Sequence, residues 1–279
     1  MEQSFSASPQ SVPKSLSQKL RNPLYKVWRS FLPWLVPMFA IVLWQLLSQA
    51  GVISSKILPA PLDVLKVGIK LAQSGELLKH ITISGTRALI GFAIGGGIGF
   101  LLGLINGSFI IAETLLDTSL QMLRNIPHLA LIPLVILWFG IGEEAKIFLV
   151  VIGVMFPIYL NTYHGIRTVD SGLIEMGKVY GLNSLKIFWE IVLPSALPSI
   201  LVGVRFSLGI MWLTLIVSET IASDSGIGYL AMNAREFLQT DVVVFAILLY
   251  ALLGKLADAV ARFLESSLLQ WHPSYSKSP

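Results

Sequence analysis

Residues 175–194 read EMGKVYGLNSLKIFWEIVLP and separate two long apolar segments of the chain. We interpret this stretch as two short helices joined by a bend. Ser171 is placed to cap the first helix and Asn183 to cap the second, because short polar side chains satisfy the free amides of a helix start. Gly181 can adopt the left-handed conformation that ends a helix, and Pro194 fits the first turn of the next one.

The second short helix has an apolar side. Four large apolar residues recur at the i, i+3, i+4, i+7 spacing that places side chains on one face of a helix: Leu185, Phe188, Trp189 and Val192. An apolar face on a short helix between membrane spans requires a partner groove. The stretch therefore predicts a docking site for another protein, and the alternative is an ordinary amphipathic connecting loop.

The composition indicates a membrane protein. The chain is 54% hydrophobic and 13% charged, whereas a soluble domain has about 25% charged residues. It contains no cysteine, and its four histidines show no metal-ligand spacing, so no metal site is expected. It lacks a G-x-x-x-x-G-K-[ST] loop, so it is not expected to hydrolyse ATP. The net charge of +4 comes without a basic, aromatic surface, which argues against nucleic acid.

Six apolar segments predict an all-α membrane protein with six transmembrane helices. Their approximate limits are 31–48, 86–106, 123–139, 145–160, 200–217 and 242–261. Lysines and arginines cluster before the first segment, which predicts a cytoplasmic N-terminus. Six crossings then return the C-terminus to the cytoplasm and place the 175–194 stretch inside the cell.

We divide the chain into four parts. Residues 1–30 are expected to be a disordered, basic, cytoplasmic N-terminus, and residues 31–80 the first transmembrane helix with an external amphipathic segment. Residues 81–265 form the main transmembrane domain, with the docking stretch inside a loop at 165–198. Residues 266–279 are expected to be a cytoplasmic tail.

The external segment contains one amphipathic helix. Its apolar face is marked by Leu62, Leu65, Ile69 and Ala72. Such a helix either lies on the outer membrane surface or packs on the transmembrane core, and the sequence leaves both interpretations open.

The second span carries a glycine at every fourth position. These residues form a smooth ridge along one side: Gly91, Gly95, Gly99 and Gly103. Ridges of small residues allow two helices to approach closely in lipid. The spacing never completes a G-x-G-x-x-G nucleotide-binding fingerprint, so the predicted role is helix packing.

Three cationic or titratable residues lie in or near spans and are candidates for a translocation pathway. They are Arg124, His128 and Arg205. Ionisable groups inside a membrane are costly and therefore often functional, and these three would give a pathway a positive lining suited to an anion. In the alternative interpretation, Arg124 reaches the membrane interface and Arg205 neutralises a neighbouring carboxylate. Lys255 and Asp258 are three residues apart and are expected to pair.

The 175–194 stretch resembles the EAA loop of permease subunits of ABC importers. The resemblance rests on Glu175, on Gly181 six residues later, and on the Ile191-x-Leu193-Pro194 ending. The family has two small residues after the glutamate, and Met176 departs mildly from that pattern. In the family this loop docks into a cytoplasmic ATPase. The resemblance thus implies these coupling residues: Glu175, Met176, Gly177, Gly181, Leu185, Phe188, Trp189, Ile191, Leu193 and Pro194.

Longer stretches, including 120–140 and 226–241, resemble the permeases of bacterial aliphatic sulfonate importers. The resemblance implies the type I ABC importer permease fold and a multi-pass protein of the bacterial inner membrane. It also implies a homodimer of this chain, two ATPase subunits that bind ATP and Mg, and a periplasmic or lipid-anchored binding protein, with no cofactor in this chain. Sister permeases for taurine, nitrate and bicarbonate leave the substrate open. A membrane scaffold that recruits a partner without transport is the alternative of a different class.

Overall fold

The computed structural model describes residues 23–221 and 223–272, and within these ranges every regular element is helical. The helices are α1 Pro23–Gln49, α2 Pro61–Gln73, α3 Glu76–Ser108, α4 Ile110–Arg124, α5 Ile132–Phe139, α6 Glu143–Arg167, α7 Ser171–Val179, α8 Ser184–Ile187, α9 Leu193–Ile221, α10 Ile227–Glu236 and α11 Thr240–Leu268. A 3-10 turn, His128–Leu131, precedes α5, and a π-helical turn, Phe188–Val192, joins α8 to α9. The predicted disorder of residues 1–22 and the tail after residue 272 lie outside the described residues.

Several of these helices are long and apolar enough to cross a membrane. Four meet this description in the described residues, namely α3, α6, α11 and the continuous segment Ser184–Ile221. The pair α4 and His128–Phe139, bent by 79°, adds a fifth if it is one span. The all-α membrane class is confirmed, while the number of six spans stays a prediction.

The third predicted span is broken rather than straight. The sequence analysis placed it at 123–139, but α4 ends at Arg124 and the chain resumes helical structure at His128. Pro127 explains the break, because a proline drives the residue before it out of the helical conformation. Helix α3, Glu76–Ser108, contains the whole of the second predicted span and starts ten residues before it.

The described residues up to Asp63 belong to a compact unit of their own. Helix α1 begins at Pro23, so residues 23–30 are helical and their predicted disorder is wrong. Trp34–Gln49, the apolar part of α1 among the residues whose side chains are described, overlaps the first predicted span at 31–48, and its crossing of the membrane stays a prediction. Beyond α1 the chain turns back, and the side-chain oxygen of Gln45 accepts a 3.1 Å hydrogen bond from the amide of Leu62.

The second unit begins at Val64 and contains the helical bundle. Val64 is buried, and Gly68 faces the ring of Phe245 on α11. This part of α2 therefore packs on the bundle through Val64 and Gly68, whereas the predicted apolar face stays exposed at Leu65, Ile69 and Ala72. Contact of that face with the membrane surface stays a prediction.

Helices α3 and α6 lie side by side and run in the same direction. Gly91 of α3 faces Val150 of α6, and Gly103, three turns later, faces Thr162. Two consecutive long helices can be parallel only if the chain crosses back between them, and the bent α4–α5 segment provides this return.

Helix α9 packs against both α3 and α6, with which it shares a buried cluster, and it runs antiparallel to α6. Gly153 of α6 faces Thr214, and Gly165 faces Ala196 near the start of α9. Helix α11 is in turn antiparallel to α9. One end of the bundle thus carries the starts of α3, α6 and α11 with the end of α9, and the other end carries α7 and α8.

The predicted glycine ridge lies in the contact between α3 and α6. All four glycines are buried. A Cβ atom at Gly91 would lie 2.6 Å from a methyl group of Val150, and a Cβ atom at Gly99 would overlap the backbone carbonyl of Met155. The two backbones are therefore closer than any larger side chain would allow.

Replacing Gly99 by Ala is expected to destabilise the bundle by about 1–3 kcal/mol, because the backbone of α6 cannot rotate away from the added methyl group. Gly97 lies two residues earlier with open space around it. Gly97→Ala is therefore the matched control, expected to be neutral or to stabilise by up to about 1 kcal/mol. The measurement is the free energy of unfolding in mixed detergent micelles. Equal effects of the two substitutions would show that α3 and α6 are not closely packed.

Candidate functional site

The docking segment, residues 170–194, folds as a capped helical hairpin. Asp170 rather than Ser171 caps α7, since its carboxylate accepts a 2.8 Å hydrogen bond from a backbone amide two residues on. The prediction for Ser171 is thus wrong by one residue. Asn183 caps α8 as predicted, with a 2.9 Å hydrogen bond from the amide three residues later. Gly181 has φ +79° and reverses the chain between the two helices.

The hairpin explains which of its positions require a small residue. Gly177 is buried, and a Cβ atom there would lie 2.6 Å from a methyl group of Ile191. Met176, in contrast, is 47% exposed and has room for a long side chain. The departure from the family pattern at Met176 therefore leaves the fold of the hairpin undisturbed. Glu175 is exposed on α7.

The apolar face predicted for the second short helix is divided in the structure. Leu185 and Trp189 are 68% and 59% exposed, whereas Phe188 is half-buried. Val192 packs on the core formed by Ile166, Ala196 and Ile200. The single-face prediction is wrong because Phe188–Val192 form a π-helical turn, whose wider turn breaks the 3.6-residue spacing.

The docking segment continues into α9 without a break. The sequence analysis ended it at Pro194, but helical structure runs from Ser184 to Ile221. Pro194 lacks the amide proton that an α-helical turn uses, and the π-helical turn directly precedes it. Leu193 packs on the same core as Val192. A displacement of α8 would therefore be passed directly to α9.

A groove of about 760 Å³ lies beside the hairpin. It is bounded by the end of α3, the end of α6 and the inner side of α8. Its walls are mostly apolar and include Leu104, Ile105, Phe109, Ile166, Leu185 and Phe188. The hairpin thus has open apolar surface on two sides, the exposed Leu185–Trp189 side and the side that faces this groove.

The structure separates the three candidate pathway residues. Arg124 is exposed at the end of α4. His128 follows the break in the third span, and its Nε2 lies 3.0 Å from Oγ1 of Thr214. Arg205 is on α9 and faces α11. The described structure shows no contact among the three, and their role in a pathway stays a prediction.

Arg205 forms ion pairs with carboxylates of α11. Its guanidinium lies 2.8 Å from Asp258 and 3.4 Å from Glu265. Asp258 also receives Arg262 at 2.9 Å and Lys255 at 3.6 Å, so the predicted pairing of Lys255 is confirmed. The carboxylate partners agree with the alternative interpretation of Arg205.

A buried polar cluster at the end of the bundle opposite the docking segment was missed by the sequence analysis. Arg87 of α3 has a side chain that is 2% exposed, and it donates at 2.7 Å to Glu219, whose side chain is fully buried. Arg87 also pairs with Glu143 at the start of α6. Arg87 lies inside the predicted span at 86–106, but the sequence analysis did not count it among the ionisable residues of the spans. Its position inside that helix was the available signal.

Glu219 is the centre of this Arg87 cluster. Besides Arg87, its carboxylate accepts hydrogen bonds from the Ser84 hydroxyl at 2.8 Å, from the Tyr250 hydroxyl at 3.0 Å and from the Gly228 amide at 2.9 Å. These donors come from α3, α10 and α11. One carboxylate thus holds four helices together, counting α9, on which it lies.

The turn before α10 is tied to the same cluster. The amide of Ile227 donates to the Ser84 hydroxyl at 2.9 Å, and the amide of Gly226 donates to Nδ1 of His80 at 3.1 Å. Gly226 has φ +108°, and a side chain there would also overlap the Glu219 carboxylate. The turn is therefore shaped to fit the cluster.

These features define a multi-span helical membrane protein that presents a capped hairpin at one end of its bundle and a buried ion cluster at the other. Residues 95–270 match the family described as binding-protein-dependent transport system inner membrane component. The chain belongs to this family, the permeases of ABC importers, and the resemblance found in the docking segment is confirmed.

Its relatives include three transport permeases. The chain is 60% identical over 256 residues to the aliphatic sulfonates transport permease protein SsuC of Escherichia coli (strain K12), covering 92% of this chain and 97% of the relative. It is 44% identical to the SsuC protein of Bacillus subtilis (strain 168), with 95% and 96% covered. The taurine transport system permease protein TauC of Escherichia coli (strain K12) is 32% identical, with 83% and 86% covered.

Replacing Glu219 by Gln is expected to destabilise the bundle by about 3–5 kcal/mol, since it removes the charge opposite a buried arginine. Asp224→Asn in the neighbouring exposed turn is the matched control and is expected to change stability by less than about 0.5 kcal/mol. The measurement is unfolding of the detergent-purified protein. If Glu219→Gln were as stable as the control, the cluster would not hold the helices together.

Proposed function

We propose that this protein is the permease subunit of an ATP-driven importer that carries aliphatic sulfonates across the bacterial inner membrane. The observation that carries this proposal is the 60% identity, over almost the whole chain, to a permease named for aliphatic sulfonates. The identity to the named taurine permease is lower, at 32%, so taurine is the second candidate.

The docking segment is the contact with a cytoplasmic ATPase in this proposal. The importer contains two copies of this chain, two ATPase subunits that bind ATP and Mg²⁺, and a substrate-binding protein on the external side. The chain itself catalyses no reaction. The exposed Leu185 and Trp189 on a rigid, capped hairpin support this role, because a docking helix needs apolar side chains that its own protein leaves uncovered.

The direction of the helices then assigns the two sides of the membrane. With the docking segment in the cytoplasm, the Arg87 cluster lies at the external end of the bundle. The C-terminal end of α11 is at the docking end, which agrees with a cytoplasmic C-terminus. An odd number of crossings before α3 would place the N-terminus in the cytoplasm as well.

The continuity of α8 with α9 supports a mechanical route for coupling. When ATP draws the two ATPase subunits together, the docking segments move with them. Helix α9 carries that movement from Leu193 to Glu219, about 39 Å at 1.5 Å per residue. ATP binding at one side of the membrane thereby reaches the ion cluster at the other.

Replacing Trp189 by Ala is expected to weaken ATPase binding by about tenfold or more, because exposed aromatic residues dominate such interfaces. The free energy of unfolding of the Trp189→Ala variant should differ from that of the wild-type protein by less than about 0.5 kcal/mol, since the side chain is exposed. Trp138→Ala is the matched control, since Trp138 is 61% exposed on α5 toward the other end of the bundle. The measurement is co-purification and titration of the ATPase. Undiminished binding by the Trp189 variant would exclude this contact.

The substrate is tested by the ATPase activity of the complete importer in lipid vesicles with its binding protein. Alkanesulfonates are expected to stimulate ATP hydrolysis and to be taken up, with taurine and nitrate giving little or no response. Stimulation by taurine alone would support the importer function but identify taurine as the substrate. Partner binding without uptake of any solute would instead support the scaffold alternative.

A further inference from the structure

Two buried cations at the external end of the bundle meet one half-exposed carboxylate. The side chains of Arg87 and Lys146 are 2% and 3% exposed, whereas that of Glu143 is 52% exposed. Both carboxylate oxygens of Glu143 accept hydrogen bonds from Arg87, and one also accepts from Lys146 at 3.1 Å. Glu143 thus lies between the two buried cations and the exposed surface of the protein.

The two carboxylates that neutralise this site differ in how firmly they are held. Glu219 is fully buried and accepts hydrogen bonds from α3, α10 and α11, so it cannot leave without taking the bundle apart. Glu143 is the first residue of α6, and its partners are the two cations alone among the described contacts. A rotation of its side chain would free the ammonium of Lys146 and the Nε–Nη2 edge of Arg87, while Arg87 keeps its bonds to Glu219 and Ser225 and the bundle stays intact.

The site left by such a rotation has the charge and shape for an organic anion. Two cations and two carboxylates are neutral together, and without Glu143 the buried site has a net charge of +1. A planar guanidinium pairs bidentately with oxyanions, and a lysine ammonium can take a third oxygen. A sulfonate head group has three oxygens in such an arrangement.

A cavity adjoins Arg87 and Glu143, where it can take the substituent of an anion bound in place of the Glu143 carboxylate. It measures about 490 Å³ and opens beside Glu143. Its walls include Ile83, Ile90 and Ile147, with hydroxyl groups from Thr82, Thr86 and Ser225. Apolar walls next to a cationic end match a molecule with an alkyl chain and an anionic head.

We propose that Arg87 and Lys146 form a binding site for the head group of an alkanesulfonate, and that Glu143 occupies the head-group position until the anion displaces it. This inference rests on the proposed function and names where the permease itself recognises its substrate. Displacement exchanges one anion for another, so the buried cations stay neutralised throughout.

The first test is anion rescue with the full chain purified in detergent without added lipid. Glu143→Gln keeps the size of the side chain but removes its charge, so it is expected to lower the midpoint of thermal unfolding. Sodium 1-butanesulfonate is expected to raise this midpoint by several degrees more than sodium chloride at equal concentration. The wild-type protein should respond less, because Glu143 competes for the same cations.

Glu144→Gln is the matched control for this experiment. Glu144 is the adjacent exposed residue of α6, so the variant has the same net charge but leaves the ion pairs of Arg87 in place. It is expected to respond to butanesulfonate as the wild-type protein does. A response of Glu143→Gln no greater than that of Glu144→Gln would overturn the proposal. A rise with phosphatidylglycerol but not with butanesulfonate would assign the site to a lipid head group and overturn it too.

A binding measurement covers the case in which Glu143→Gln fails to fold. Radiolabelled butanesulfonate is expected to bind the Lys146→Gln variant at least about tenfold more weakly than the wild-type protein. Lys255→Gln is its control, since Lys255 is 70% exposed on α11 and lies in a different ion cluster. Equal weakening in both variants, or in neither, would contradict a site at Lys146.

These measurements use neither the ATPase nor the binding protein, so their outcome does not depend on whether the proposed transport function is correct. If alkanesulfonates stimulate the complete importer but do not bind at Arg87 and Lys146, the function stands and this inference is wrong. If butanesulfonate binds at the site but no importer activity follows, the site stands and the transport function is wrong.

Discussion

The close contact between α3 and α6 is the constraint on which the rest of the bundle depends. Glycines at four-residue intervals on α3 bring the two backbones together, with Gly95 and Gly99 facing the carbonyls of α6. Lipid gives no hydrophobic reason for two apolar helices to associate, so close backbone approach supplies the packing energy. Because the pair is parallel, the chain must return through the membrane between them, and it does so through a segment broken at Pro127.

The same contact sets the register that forms the Arg87 cluster. Arg87 lies four residues before Gly91, and this places it beside Glu143 at the start of α6. Helix α9, which packs against both α3 and α6, brings Glu219 to the same point. Ion pairs buried in this way add little stability compared with apolar packing, but removing one partner is costly. The cluster therefore disfavours any other register of α3 against α6, since a shift would leave a buried arginine without its carboxylates.

Local features of this structure could be predicted from the sequence, and features that join distant residues could not. Asn183 as a cap, Gly181 as a turn and the glycine ridge are each determined by a few neighbouring residues. The face of Leu185, Phe188, Trp189 and Val192 was mispredicted, because the spacing argument assumes 3.6 residues per turn and a π-helical turn has more. Glu219 lies 132 residues from Arg87 along the chain, and no local pattern links the two. Arg87 itself lies within the predicted second span, but nothing next to it in the sequence indicates a partner.

Helix α9 connects the two sites, and its neighbours determine how it can move. On one side small or polar residues hold it against α6, as where the Ser207 hydroxyl donates to the carbonyl of Val154 at 3.0 Å. On the other side Arg205 pairs with Asp258 and Glu265 of α11. Hydrogen bonds and ion pairs tie these helices together, and Glu219 also ties α9 to Ser84 of α3 and to Tyr250 of α11. A movement of α8 is therefore expected to carry α9 and α11 as one body, with Glu219 still held in the cluster. In the proposed binding of an anion, the buried cations keep this inner carboxylate, and the half-exposed Glu143 is the one that gives way.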